Sequence, residues 1–338
     1  MKKSLVPELP EFKNILVIHF GQLGDVVLGL PALRAIRERF ASAKITVASG
    51  KSTADIIRLA KVADEQIIVD RVKLRDGNKL LSIAEIGRIV KDVRRRKFDF
   101  VIDLHSLYET NALGYLSRAR YRLYADRKNR SLGLLARFPQ KPPVEDRSMH
   151  VARRYMDVLR PLGIIDNSPT LELEPDGDDL DEIRRIFAEY DIAGDRLVGI
   201  FLGAGHPSRR WALARYAELA TRLESQSDLK VLVFLGPEEL DLLPNISRDF
   251  PASAIVLDKL RLLPLFAALT FLDVFVGNDT GPTHLAAATK ASLVVISHTT
   301  APDEFTPLTA RLNVIKNGRI DEISVDDVYR AVMESLEK

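Results

Sequence analysis

The sequence predicts an α/β protein of two lobes, each a parallel sheet flanked by helices. Three observations predict it. Strand and helix patterns alternate from end to end. The 338 residues exceed the roughly 250–300 that a single core usually fills. One opening, a buried strand followed by a glycine turn and a helix, begins at Asn14 and again at Leu197. In the first lobe, Asn14–Phe20 is a short apolar run that ends at a glycine, the pattern of a buried strand. Val26–Phe40 carries Leu30, Leu33 and Ile36 at helical spacing, with Arg34, Arg37 and Glu38 on another side. Lys44–Val47, Gln66–Val69 and Phe98–Leu104 read as further strands, and Leu80–Arg96 as an amphipathic helix.

Around Pro161–Asp178 the chain turns to Pro, Gly, Asn and Asp, as a connection between domains does. The expected boundaries are 1–165 for the first domain, 166–180 for the connection and 181–338 for the second. In the second domain Leu197–Leu202, Lys230–Leu235, Val274–Val276 and Leu293–Ile296 read as strands, and Ala214–Glu224 and Pro282–Thr289 as helices. Val325–Leu336 is a last amphipathic helix, with the first domain as an expected place for it to pack back.

There are no cysteines, which excludes disulfides, thiolate metal sites and Cys nucleophiles. The N-terminal lysines are followed by no apolar segment of the kind a secretory signal needs. No apolar run approaches the ~20 residues that cross a bilayer. The net charge of +2 hides a division: residues 1–165 carry 32 Lys and Arg against 18 Asp and Glu, and residues 166–338 carry 17 against 29. The segment 118–160 alone holds twelve basic and four acidic residues. The first half is therefore expected to meet an anionic partner, with scattered solvated charge as the plainer alternative.

Four turns at predicted strand ends carry unusual chemistry, and ligands of open parallel sheets sit at those ends. In Gly277-Asn278-Asp279-Thr280-Gly281-Pro282-Thr283-His284, Pro282 suits the first helical position, and the amides beyond it point outward with the positive end of the helix dipole. That makes an anion site suited to a diphosphate, where Gly281 admits close approach and Thr280 adds a hydroxyl. Asp279 is better placed for sugar hydroxyls than for phosphate. A plain helix cap, with His284 as an ordinary helix residue, is the alternative for this turn alone. In Gly203-Ala204-Gly205-His206-Pro207-Ser208-Arg209-Arg210-Trp211, two glycines allow close approach and the arginines offer phosphate donors. Trp211 reads as the anchor of that loop, and a simple exposed basic loop is the alternative. A carboxylate of Gly236-Pro237-Glu238-Glu239 suits a ribose diol, and equally suits a helix start. Gly21-Gln22-Leu23-Gly24-Asp25 lacks the dinucleotide spacing and puts a carboxylate where a phosphate would otherwise bind, which favours a general base over a cofactor site. An Asp cap is the alternative there.

The stretches ILVIHFGQLGDVVLGLPALRAIRERF, FDFVIDLHSL, GAGHPSRRWALARYAELA and VGNDTGPTHLAAA, in that order, resemble glycosyltransferase family 9, the ADP-heptose:lipopolysaccharide heptosyltransferases. The resemblance covers nearly the whole chain. It implies the GT-B architecture, two Rossmann-like domains whose parallel sheets face an interdomain cleft. It also implies an inverting transfer of heptose from ADP-heptose, as co-substrate, to the Kdo/heptose inner core of lipopolysaccharide. No cofactor and no metal are expected. Asp25 matches the catalytic base; Thr280 and Gly281, with Ser208 and Arg209, match positions around the donor phosphates. Arg209 stands where the family usually has Lys. Asp279 and His284 match sugar or nucleotide contacts, and Glu238 or Glu239 the acid at the ribose. Gly24, Arg122, Arg127 and Arg130 are the acceptor-side candidates for an anionic lipopolysaccharide precursor. The implied location is cytoplasmic, peripheral at the cytoplasmic face of the inner membrane, with no nucleic-acid partner. A relative using another nucleotide sugar or acceptor glycan, and a non-catalytic nucleotide-sugar binder, are the alternative functions.

Overall fold

Apolar side chains fill both faces of β1 (Asn14–His19), and a strand buried on both faces belongs in the middle of a parallel sheet. It lies there in the computed structural model, which describes residues 10–337 apart from 77–78, 166–169, 172, 191, 193, 207–208 and 301. β1 pairs in parallel with β2 (Lys44–Gly50) on one side and β4 (Phe100–Asp103) on the other. β3 (Glu65–Val69) and β5 (Tyr121–Tyr124) complete the order β3-β2-β1-β4-β5. The strand order reverses between β1 and β4, which places a crevice at their carboxyl ends.

The helices follow the strands. α1 (Leu23–Arg39) buries Val26, Val27, Leu30, Leu33 and Ile36, and packs against α6 (Val151–Val158). Between these lie α2 (Ala54–Leu59), α3 (Arg71–Asp76), α4 (Lys79–Arg95) and α5 (Tyr108–Leu116). Ile89 and Val93 of α4 join Leu16, Ile18, Ile67 and Val101 of the strands in one core.

The chain divides into two compact units, residues 1–170 and 171–338. In the second, α7 (Gly177–Ala188) begins inside the stretch expected as a connection. Asp178 and Asp179 in its first turn suit a helix start, so acidic residues that read as linker are helix-stabilising. Six parallel strands follow the order β11-β10-β9-β6-β7-β8, reversing between β6 (Arg196–Phe201) and β9 (Val274–Asn278). The others are β7 (Leu229–Phe234), β8 (Ile255–Leu257), β10 (Ser292–His298) and β11 (Leu312–Asn317). The helices are α8 (Leu213–Glu224), α9 (Leu243–Asp249), α10 (Leu262–Leu269), α11 (Gly281–Ala286) and α12 (Val325–Leu336). α12, for which the sequence suggested the first domain, buries Val325, Val328, Ala331 and Val332 in the core of its own unit, beside α8 and the sheet. The expected class, two parallel sheets with alternating helices, is borne out.

Candidate functional site

In the first unit the site is built on a histidine. His19, the last residue of β1, is fully buried, and its Nδ1 accepts the Gly21 N–H at 3.3 Å. That hydrogen bond puts the proton of the neutral ring on Nε2, which has no hydrogen-bond partner among the described residues. The ring fits because two glycines leave room for it. A Cβ on Gly29 would lie 2.4 Å from His19 Nε2, and one on Gly21 would lie 2.9 Å from Cε1 and 2.4 Å from the Asp25 Cβ. The loop so held leads into α1, where Asp25 Oδ2 accepts the Gln22 N–H at 3.1 Å. Asp25 is half-buried and keeps an oxygen for other partners.

Burial lowers His19 to about 4 against the opposing pull of Asp25. His105, in the loop after β4, is lowered to about 3 by burial and then by His19, Arg71 and Arg127. The Tyr155 ring of α6 lies 4.8 Å from that of His19 at a tilt of 55°, and burial beside Asp25 holds its hydroxyl protonated. Both imidazoles are therefore neutral around pH 7. Because both fold with depressed values, the unfolded chain binds more protons below pH 6.5, and stability should fall as pH drops from 6.5 toward 4. Asp103, buried and raised to about 6, works in the opposite direction. Comparing urea unfolding of His105→Gln with the parent isolates the histidine contribution: the variant should lose less stability between pH 7 and 5, and parallel curves would refute it.

Of the acceptor-side candidates, Gly24 lies in the first turn of α1 beside Asp25. Arg127 joins the same neighbourhood, donating from Nη1 to the His105 carbonyl at 2.9 Å and pairing with Glu145 at 3.0 Å. Arg122 does not: its guanidinium is spent on the Leu135 and Ala119 carbonyls, at 2.8 and 2.6 Å, holding the chain beside β5. Arg130 is exposed in the turn after Arg127.

In the second unit three turns gather at the carboxyl ends of β6, β7 and β9, at the point where strand order reverses. Asn278 ends β9 and is wholly buried. Its Oδ1 accepts from Trp211 N at 3.2 Å and Tyr216 Oη at 3.1 Å, while its Nδ2 donates to the Ile296 carbonyl at 3.1 Å. One amide thus fixes the Trp211 loop against β9 and β10. Trp211 is buried, donating from Nε1 to the Ile323 carbonyl at 3.0 Å, which makes it the loop anchor expected. Thr280 caps α11 in extended conformation, and its hydroxyl meets that of Thr283 at 3.2 Å. Thr283 in turn donates to the Asn278 carbonyl at 2.5 Å.

Asp279 Oδ1 lies 3.4 Å from His284 Nε2; the imidazole is buried and the carboxylate partly exposed. Glu239 is buried under the first turn: its Oε2 accepts the Gly236 N–H at 3.1 Å, and Oε1 faces Arg210 at 3.8 Å. A Cβ on Gly203 would sit 2.6 Å from Oε1, so this glycine is what lets the carboxylate lie there. Burial raises Glu239 above the ordinary carboxylate range. Glu238 is exposed. Arg209 is exposed, with no carboxylate partner among the described residues, whereas Arg210 is half-buried against Glu239. Ser208 lies outside the described residues. Sequence reasoning missed His19 and the role of Asn278; a histidine closing an apolar strand before Gly21 was the available signal for the first.

The family model described as glycosyltransferase family 9 (heptosyltransferase) matches residues 86–330. The Gly21–Asp25 loop precedes the matched stretch. Lipopolysaccharide heptosyltransferase 3 of Escherichia coli K12 is 24% identical over 278 residues, 80% of this chain and 78% of that protein. A family 9 glycosyltransferase structure from Veillonella parvula superposes with a TM-score of 0.85 at 24% identity, covering 96% of this chain and 97% of that one. E. coli heptosyltransferase WaaC with ADP superposes at 0.77 with 17% identity, over 95% and 99% of the two chains. These likenesses show a shared fold along nearly the whole length.

Proposed function

From a chain that belongs to glycosyltransferase family 9, we propose an inverting transferase that moves heptose from ADP-heptose to the Kdo/heptose inner core of a lipopolysaccharide precursor. The observation that carries this reading is the second unit's switch point, where Asn278 ties the Trp211 loop to the strand that leads into Asp279, Thr280 and Gly281, and Glu239 lies against Gly203 and Gly236. A solved relative holds ADP. In the proposed mechanism the Thr280-Gly281 turn and Arg209 hold the diphosphate, neutralising the charge that grows on ADP as it leaves. Glu239, rather than exposed Glu238, takes the ribose diol, and Asp279 takes the sugar, oriented by His284 behind it. Asp25 of the first unit removes the proton from the acceptor hydroxyl as that oxygen attacks the anomeric carbon. One displacement inverts that carbon and leaves no sugar on the enzyme. Arg127 and Arg130 are the cations proposed for the anionic acceptor; Arg122 is proposed as structural. No helix among the described residues is long and apolar enough to cross a membrane, and peripheral contact with the inner membrane belongs to the same proposal.

The test is thermal protection by ADP-, UDP-, GDP- and CDP-linked sugars, followed by transfer to truncated core acceptors. ADP-heptose should protect most and be the sugar transferred; stronger protection and transfer with another nucleotide would replace the donor. Arg209→Ala should raise donor KM and lower kcat together, by about tenfold each, because the leaving group carries more charge in the transition state than in the bound donor. An unchanged kcat would remove Arg209 from the leaving-group role.

A further inference from the structure

A cavity of about 1020 Å³ opens in the first unit, at the carboxyl ends of its strands. Its lining includes Gly21, Gln22 and His105, from the loops that carry and neighbour Asp25. Its walls are hydrocarbon: Val72 of α3 and Ile86 and Ile89 of α4 face Leu113 and Leu116 of α5. A sugar pocket needs convergent hydroxyl-bonding groups, and these walls have few. The polar side chains of the lining include Lys51, Asp70, Arg71 and Glu109, Lys51 pairing with Asp70 at 3.9 Å and Arg71 donating to the Phe20 carbonyl.

The lining also exposes apolar side chains that a closed core would cover. Val72 is 63% exposed and Ile86 51%, with Leu81 at 71% and Ile83 at 65% on the same helix as Ile86. An apolar chamber whose lining also carries Lys51 and Arg71 beside Asp70 and Glu109, continuous with the loop of the base, matches an amphiphile with a polar head. Resting on the transferase reading above, we propose that this cavity receives a hydrocarbon chain of a lipid-linked acceptor. The chain anchors the acceptor, and its head group then lies along Gly21–Gln22 toward Asp25. Each buried methylene contributes about fourfold in affinity, so even a few ordered carbons would exceed tenfold.

The experiment compares transfer to a fully deacylated core acceptor and to the same acceptor bearing one dodecanoyl chain, below its micellar concentration. Wild type should show at least a tenfold lower KM for the acylated acceptor with similar kcat. Ala112→Trp, which projects an indole into the cavity, and Ile86→Glu, at an exposed position tolerant of charge, should abolish that preference without changing kinetics on the deacylated acceptor. Equal KM values in wild type, or a preference that survives both substitutions, would overturn the proposal. Calorimetry with dodecyl phosphate and inorganic phosphate separates this outcome from failure of the transferase reading. If no acceptor is glycosylated, yet dodecyl phosphate alone binds and both variants lose it, the cavity stands and the assigned reaction falls. Binding to acceptor-free anionic vesicles that Ile86→Glu abolishes and Ala112→Trp leaves intact, with no dodecyl phosphate binding, would make this a membrane-contact face and refute the chain site.

Discussion

Asp25→Asn should lower the transfer rate by about a hundredfold to ten-thousandfold while leaving nucleotide-sugar binding unchanged. Asparagine is the informative replacement because Asp25 has two tasks. Its Oδ2 accepts the Gln22 N–H at the start of α1, which is structural work. The proposed proton abstraction is chemical work. An amide oxygen still accepts the Gln22 N–H but has no useful basicity, so Asp25→Asn separates the two. Asp25→Ala removes both, and should lose the same activity plus about 1 kcal/mol of stability. Donor affinity from calorimetry and single-turnover rates check the pair. Donor binding lost in Asp25→Asn, with transfer persisting at high donor, would put the residue in the donor site instead.

How much of this was legible in the sequence depended on what kind of signal each residue leaves. Strands buried on both faces, such as Asn14–His19 and Leu229–Phe234, announce themselves as apolar runs. Those missed lie at or near sheet edges. β5 is Tyr-Arg-Leu-Tyr, and its arginine sits in a stretch that reads as solvated charge. β8 has only three residues, and β11 is half-exposed with a lysine. The turns proposed to carry the chemistry were legible because glycine, proline and a capping hydroxyl mark a strand-to-helix junction wherever it occurs. The contacts that make those turns rigid were not. His19 is held between Gly21 and Gly29, and nothing in the chain says that a residue ten positions later leaves the space for its ring. The choice between Glu238 and Glu239 turned on the shape of a three-residue turn and on Gly203, more than thirty residues away. Arg122, a plausible acceptor contact by charge, is committed to carbonyls that only the fold brings near.

The same logic gives Asn278→Leu the largest expected effect on stability. Leucine has the same branching at Cγ but offers neither acceptor nor donor. Trp211 N–H and Tyr216 O–H would lose their acceptor, and the Ile296 carbonyl its donor, all in a buried setting. Each buried group left unpaired costs about 1–3 kcal/mol, and since the three share one side chain the sum should not be fully additive. A loss of about 3–5 kcal/mol follows, which for a unit of this size lowers its melting temperature by roughly 10 °C. The chemistry should suffer in a distinct way. Asn278 joins the Trp211 loop to the strand that ends at Asp279, so the variant should bind donor weakly even at temperatures where it is folded. Asn278→Asp is the control: it keeps the acceptor for Trp211 and Tyr216 but gives up the bond to Ile296. If that variant restores donor KM while remaining less stable than the parent, the acceptor bonds set the site and the donor bond serves the sheet. A melting temperature within about 2 °C of the parent for Asn278→Leu would show that the three bonds are replaceable.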